Sequence, residues 1–151
     1  MPAAITHLFR YPVKSMGGHL LEKSTLTARG IPGDRAWTLK DEESGGIKGG
    51  KRFPQLLDMS ARFINEPTEQ VVSPQVQITL NDGRSVSSSD PKVNEILSAE
   101  VDAPVSLWPL LPADQLEHYQ RPPLDDGVDP EAYFREVFAR ADDEPLPDLS
   151  V

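Results

Sequence analysis

"YPVKSMGGHLLEKSTLTARGIPGDRAW", residues 11–37, sets Lys14, Lys23, Arg29 and Arg35 and four glycines among short apolar runs. The 151-residue chain around it carries a formal net charge of −9. Positive charge and glycine gathered in an acidic chain pose a binding question. A strand that stops and turns leaves backbone N–H groups free, and glycine lets an anion approach them closely. Lys14 and Ser15 stand at such a stop, between Tyr-Pro-Val and Gly17-Gly18. Arg35 follows Gly33-Asp34, where a turn would lift its planar donor fork, a match for a pair of phosphate oxygens. Asp34 is placed either to hold Arg35 or to bond turn N–H groups. Lys51 and Arg52 follow Gly49-Gly50 and add charge. Taken singly, each of these residues also reads as a solvated group beside a turn.

Charge is unevenly divided along the chain. Through Arg62 there are ten Lys/Arg against six Asp/Glu, a net of +4, and from Phe63 onward five against eighteen. A net of +4 without a basic stripe is too little for nucleic acid and suits a small anionic ligand better. No apolar run approaches the ~18 residues of a membrane span. The start, MPAAITHLFR, lacks the signal-peptide pattern, so the expected location is cytoplasmic. With no cysteine, disulfides, thiolate metal sites and a thiol nucleophile are excluded within this chain. His7, His19 and His118 show no metal-ligand spacing, and His19 beside Gly18 reads as surface. No paired carboxylates, nucleophile elbow or P-loop appears, so no catalytic residue and no metal ligand is expected here.

The first half reads as strands. Ile5, His7, Phe9 and Tyr11 alternate with Thr6, Leu8 and Arg10 until Pro12 ends the run. Further strands are expected at 20–26, 36–40, 56–64, 75–80 and 85–87, with Asp82-Gly83 as a type I′ hairpin pair. Asp90-Pro91 and Asp129-Pro130 each pair an N-cap acceptor with a proline at the first helical position. Val93, Ile96 and Leu97 then define one helical face, and Tyr133, Phe134, Val137 and Phe138 a second. A last strand is expected within 103–112, and Trp37 and Trp108 in strand-like runs read as mostly buried. The pattern predicts a β-rich (α+β) fold, a small β-barrel with two or three peripheral helices. The expected division is a barrel with one helix over 1–112. A loop, a second helix and an acidic, proline-rich linker then fill 113–151.

"YPVKSMGG", then "GIPGDRAW", a glycine turn and "KRFPQLL" together resemble the N-terminal β-barrel domain of the MOSC superfamily. That superfamily is named for the C-terminal domain of molybdenum cofactor sulfurase and includes the mitochondrial amidoxime-reducing component. The resemblance spans about residues 3–110 and rests on YPVKS and GDR-x-W in this order and distance. It implies that a pyranopterin molybdenum cofactor lies between this barrel and a following MOSC domain. Lys14, Ser15 and Arg35 would then contact its phosphate and pterin. Lys51 stands where many members carry an arginine. The family's metal-ligating cysteine belongs to the MOSC domain, and this chain has none. The resemblance therefore implies a domain that works with a missing C-terminal MOSC domain and a redox partner protein. The parent would be a molybdenum-dependent reductase of N-oxygenated compounds or a sulfur carrier. Two other readings stay open: a stand-alone, non-enzymatic barrel that binds a protein partner, and a module for another phosphorylated metabolite.

Overall fold

The structure is a computed structural model that describes residues 3–112, 114–115 and 123–148. The chain divides into two compact units, Met1–Arg121 and Pro122–Val151. The first unit is β-rich. Its strands are β1 (Leu8–Arg10), β2 (His19–Leu21), β3 (Trp37–Asp41), β4 (Ile47–Lys48), β5 (Ser60–Phe63), β6 (Val76–Thr79), β7 (Ser85–Ser87) and β8 (Val105–Pro109). A 3-10 helix at Pro54–Asp58 and the helix α1 (Val93–Val101) complete it.

All strand pairs are antiparallel and fall into three ladders, β1-β2, β4-β3-β8 and β5-β6-β7. The stretch YPVKSMGG links the second ladder to the third. Trp37 N–H donates to Pro12 O and Lys14 N–H donates to Trp37 O, at 3.0 and 2.9 Å. A few residues on, Gly17 N–H donates to Met59 O at 2.8 Å, and Ala61 N–H donates back to Gly17 O at 2.9 Å. Val13, Leu39, Phe53, Leu56, Met59, Ile78 and Leu97 pack beneath this seam as one core cluster. Val93, Leu97 and Val101 are the buried stripe of α1, spaced every four residues as a helix facing a sheet requires.

Several elements differ from the sequence expectation. The strand foreseen at 20–26 ends at Leu21, and residues 22–29 are exposed. The strand foreseen at 56–64 begins only at Ser60, because Pro54 opens a 3-10 turn that buries Leu56. At the Asp82 hairpin only Gly83 takes a positive φ, +85°, so the turn is not the type I′ pair. Asp90 accepts from Lys92 N–H at 2.8 Å, but it closes the turn before the helix rather than capping it: α1 starts at Val93, with Lys92 at its N-cap and no side-chain cap. Trp37 and Trp108 are partly buried, the former donating its indole N–H to Pro74 O at 2.9 Å.

In β1 the alternation is kept, and the fold decides which side of it is inside. Phe9 and Tyr11 are about half exposed and stack outward with His7, whereas Arg10 is 3% exposed. Arg10 donates to both carboxylate oxygens of Glu66, at 2.9 and 3.0 Å, and its guanidinium lies 5.0 Å from the Phe63 ring centre. His19, read as surface from sequence, stands 3.1 Å from the same guanidinium. Since arginine can only donate, Nε2 of His19 is the acceptor and the ring is neutral. Burial first, and the Arg10 charge second, lower its pKa against the opposing pull of Glu66 and the Ala61 backbone. Glu66→Ala would strand a buried guanidinium, and urea melts should show a loss of about 2 kcal/mol. An unchanged midpoint would mean that solvent already neutralises Arg10.

The second unit carries the helix α2 (Pro130–Val137), started as expected by Asp129, which accepts from Glu131 N–H at 3.1 Å. Arg135 ties it together, bonding Glu131 one turn back and the carbonyls of Ala141 and Glu144 ahead. No described helix is long and apolar enough to cross a membrane. His118 lies outside the described residues.

Candidate functional site

Lys14, Ser15, Gly49, Gly50, Lys51 and Leu57 line a cleft of about 460 Å³. Its two walls come from distant parts of the chain. One is the end of YPVKS, held in line by the Lys14–Trp37 backbone bond. The other is the turn after β4, closed by Arg52 N–H and Phe53 N–H, which both donate to Gly49 O, at 2.9 and 3.0 Å. Phe53 and Leu56 fasten that turn into the core.

Asp41, a residue that sequence reading passed over, orders the loop behind this second wall. It is fully buried at the end of β3 and accepts from Glu43 N–H, Ser44 N–H, the Ser44 hydroxyl and Arg52 Nε, at 3.0, 3.1, 2.7 and 3.3 Å. Burial, the largest single influence, works against its charge. The Ser44 and Glu43 donors and Arg52 together outweigh it and hold the carboxyl below its ordinary range. Arg52 is thereby drawn onto Asp41, and Lys51 is the cation of this turn that lines the cleft. The available signal was an aspartate followed by Glu-Glu-Ser-Gly-Gly, which reads only as turn chemistry without Arg52 in view.

Ser15 has φ +68° and Arg35 φ +51°, left-handed values that side chains disfavour by about 1 kcal/mol or more. Asp34 holds Arg35, as one of its two expected roles had it, and its backbone partner is a distant N–H rather than one of its own turn. One oxygen accepts from Tyr11 N–H at 2.9 Å and the other from Arg35 Nε at 3.1 Å. Arg35 N–H donates to Tyr11 O at 2.7 Å, so the GDR turn is laced to the strand segment that continues into Lys14. The four expected site residues thus divide: Lys14, Ser15 and Lys51 share the cleft, and Arg35 lies on the GDR turn, outside that lining.

Two lysines, a serine and two glycines share this lining with Leu57, residue types that suit an anion. Among the described residues no three His, Asp or Glu side chains are grouped to hold a metal ion.

These features define a small antiparallel β domain with a basic, glycine-walled cleft at the junction of two ladders. The chain belongs to the family described as the MOSC N-terminal beta barrel domain, whose model matches residues 2–103. Searches of curated proteins and of solved structures each return no match.

Proposed function

We propose that this domain holds the phosphate and pterin end of a pyranopterin molybdenum cofactor, as part of a molybdenum-dependent reductase or sulfur-transfer protein. The observation that carries the reading is the meeting of Lys14 and Ser15 with Lys51 across a glycine-walled cleft, in a chain of this family. Lys14, Lys51 and the Ser15 hydroxyl would bind the phosphate, with Arg35 reaching in from the GDR turn. The cofactor supplies the redox or sulfur chemistry when bound. Its metal end needs a thiolate that this chain does not have, and a C-terminal MOSC domain is the proposed source.

Alone, the cleft is open to water, so each charged contact contributes on the order of 1 kcal/mol or less. Three or four such contacts must offset about 4 kcal/mol or more of immobilisation. Those terms nearly cancel, so binding of a pterin phosphate should be weaker than millimolar and fade as salt rises. An NMR titration at low and high salt checks this. Lys14→Ala should remove most of the response. Tight, salt-insensitive binding, or binding that survives Lys14→Ala, would place the ligand elsewhere. An equal response to sugar phosphates and pterin phosphate would favour a module for another phosphorylated metabolite.

A further inference from the structure

The two glycines of the cleft are not equivalent. A Cβ built on Gly50 would meet only Leu57, with its nearest atom at 3.1 Å. A Cβ on Gly49 would fall 2.6 Å from the Ser15 hydroxyl oxygen, 3.4 Å from Lys14 Cε and 3.7 Å from Ser15 Cβ. Its three nearest neighbours all belong to the two residues that carry the cleft's first wall. Gly49 has no positive φ, so nothing in its own backbone requires glycine. What a side chain there would displace is the Ser15 hydroxyl, the movable end of its side chain.

We propose that Gly49 is a positioning residue of the cleft: its missing side chain leaves the room that keeps the Ser15 hydroxyl directed into the site. The inference rests on the anion reading above. It assigns to Gly49 a role that a turn glycine would not have. Ser15 is held at φ +68° by the ladder on either side of it, through Lys14 N–H to Trp37 O and Gly17 N–H to Met59 O. Its backbone cannot yield to a new methyl group without breaking those bonds. The side chain can yield by rotating to another staggered well, which swings the hydroxyl out of the cleft. Alanine at 49 should thus act on binding as if the serine hydroxyl had been removed.

A four-member cycle tests this on the full chain, with inorganic pyrophosphate as the probe and backbone NMR spectra confirming the fold of each variant. Ser15→Ala and Gly49→Ala should each weaken binding about threefold, and the double variant should be no weaker than Ser15→Ala alone. Independent losses would multiply to about ninefold and overturn the proposal. Without any ligand, the Hα–Hβ couplings of Ser15 should report a changed χ1 in Gly49→Ala. An unchanged χ1 would overturn it as well. Should Gly49→Ala not fold alone, the double variant lacks the clashing oxygen, and its failure to restore folding would count against the proposal. Lys14→Ala separates the two levels. If it and Ser15→Ala both leave pyrophosphate binding intact, the anion reading fails and takes this inference with it. If Lys14→Ala weakens binding and Gly49→Ala does not, only the inference fails.

Discussion

Gly18→Ala is expected to lower the thermal midpoint by roughly 10 °C, the equivalent of about 3 kcal/mol in a domain of this size. A Cβ at this position would stand 2.1 Å from Arg10 O, 2.8 Å from Arg10 C and 2.9 Å from Tyr11 Cδ1. Two of those atoms are backbone, so no rotamer change relieves the contact. The strand pair β1-β2 would have to open where Arg10 opposes His19. That movement would also disturb Arg10, whose guanidinium depends on Glu66 and Phe63 for its burial. Gly17→Ala supplies the contrast, because its Cβ would approach Met59 O and Ser60 Cβ only to 3.3 Å. Thermal melts followed by circular dichroism should separate the two variants clearly. Equal melts would mean that β1 and β2 shift apart at little cost.

Asp41→Ala is expected to cost about 3 kcal/mol, because a fully buried acceptor of four hydrogen bonds leaves donors without partners. The same change should flatten the acid limb of stability. The folded carboxyl lies below its ordinary value, so its contribution is complete above about pH 4, the ordinary aspartate range. It is lost as pH falls through the folded value, where the native state must take up a proton it resists. Glu66 adds a slope of the same sign, held low first by its hydrogen bonds from Arg10. Urea melts between pH 7 and pH 3 should therefore converge for wild type and Asp41→Ala as acid is added. A constant gap over that range would show that the loss comes from packing rather than from the carboxylate. Because Asp41 also draws Arg52 off the turn beside Lys51, the variant should bind pyrophosphate with altered affinity even where it remains folded.

The sequence by itself determined the β-rich class, the family and most of the cation cluster. Those signals are local: Pro12 and Gly17-Gly18 stop a strand wherever they occur, and YPVKS and GDR-x-W are contiguous strings. Asp129-Pro130 likewise started α2 where expected, since a cap needs only its own first turn. Tertiary structure decided what depends on residues far apart in sequence. Period-two alternation set Phe9 and Tyr11 opposite Arg10 without saying which side is buried, and Arg10 went inside because Glu66, 56 residues away, could neutralise it there. Lys51 joined Lys14 and Ser15, while Arg52 was withdrawn, because of a carboxylate eleven residues back on β3. Arg35 is placed by a turn whose left-handed backbone no propensity would choose. In each case a charge or a strained backbone was stabilised by a distant partner, and local pattern does not record such partners.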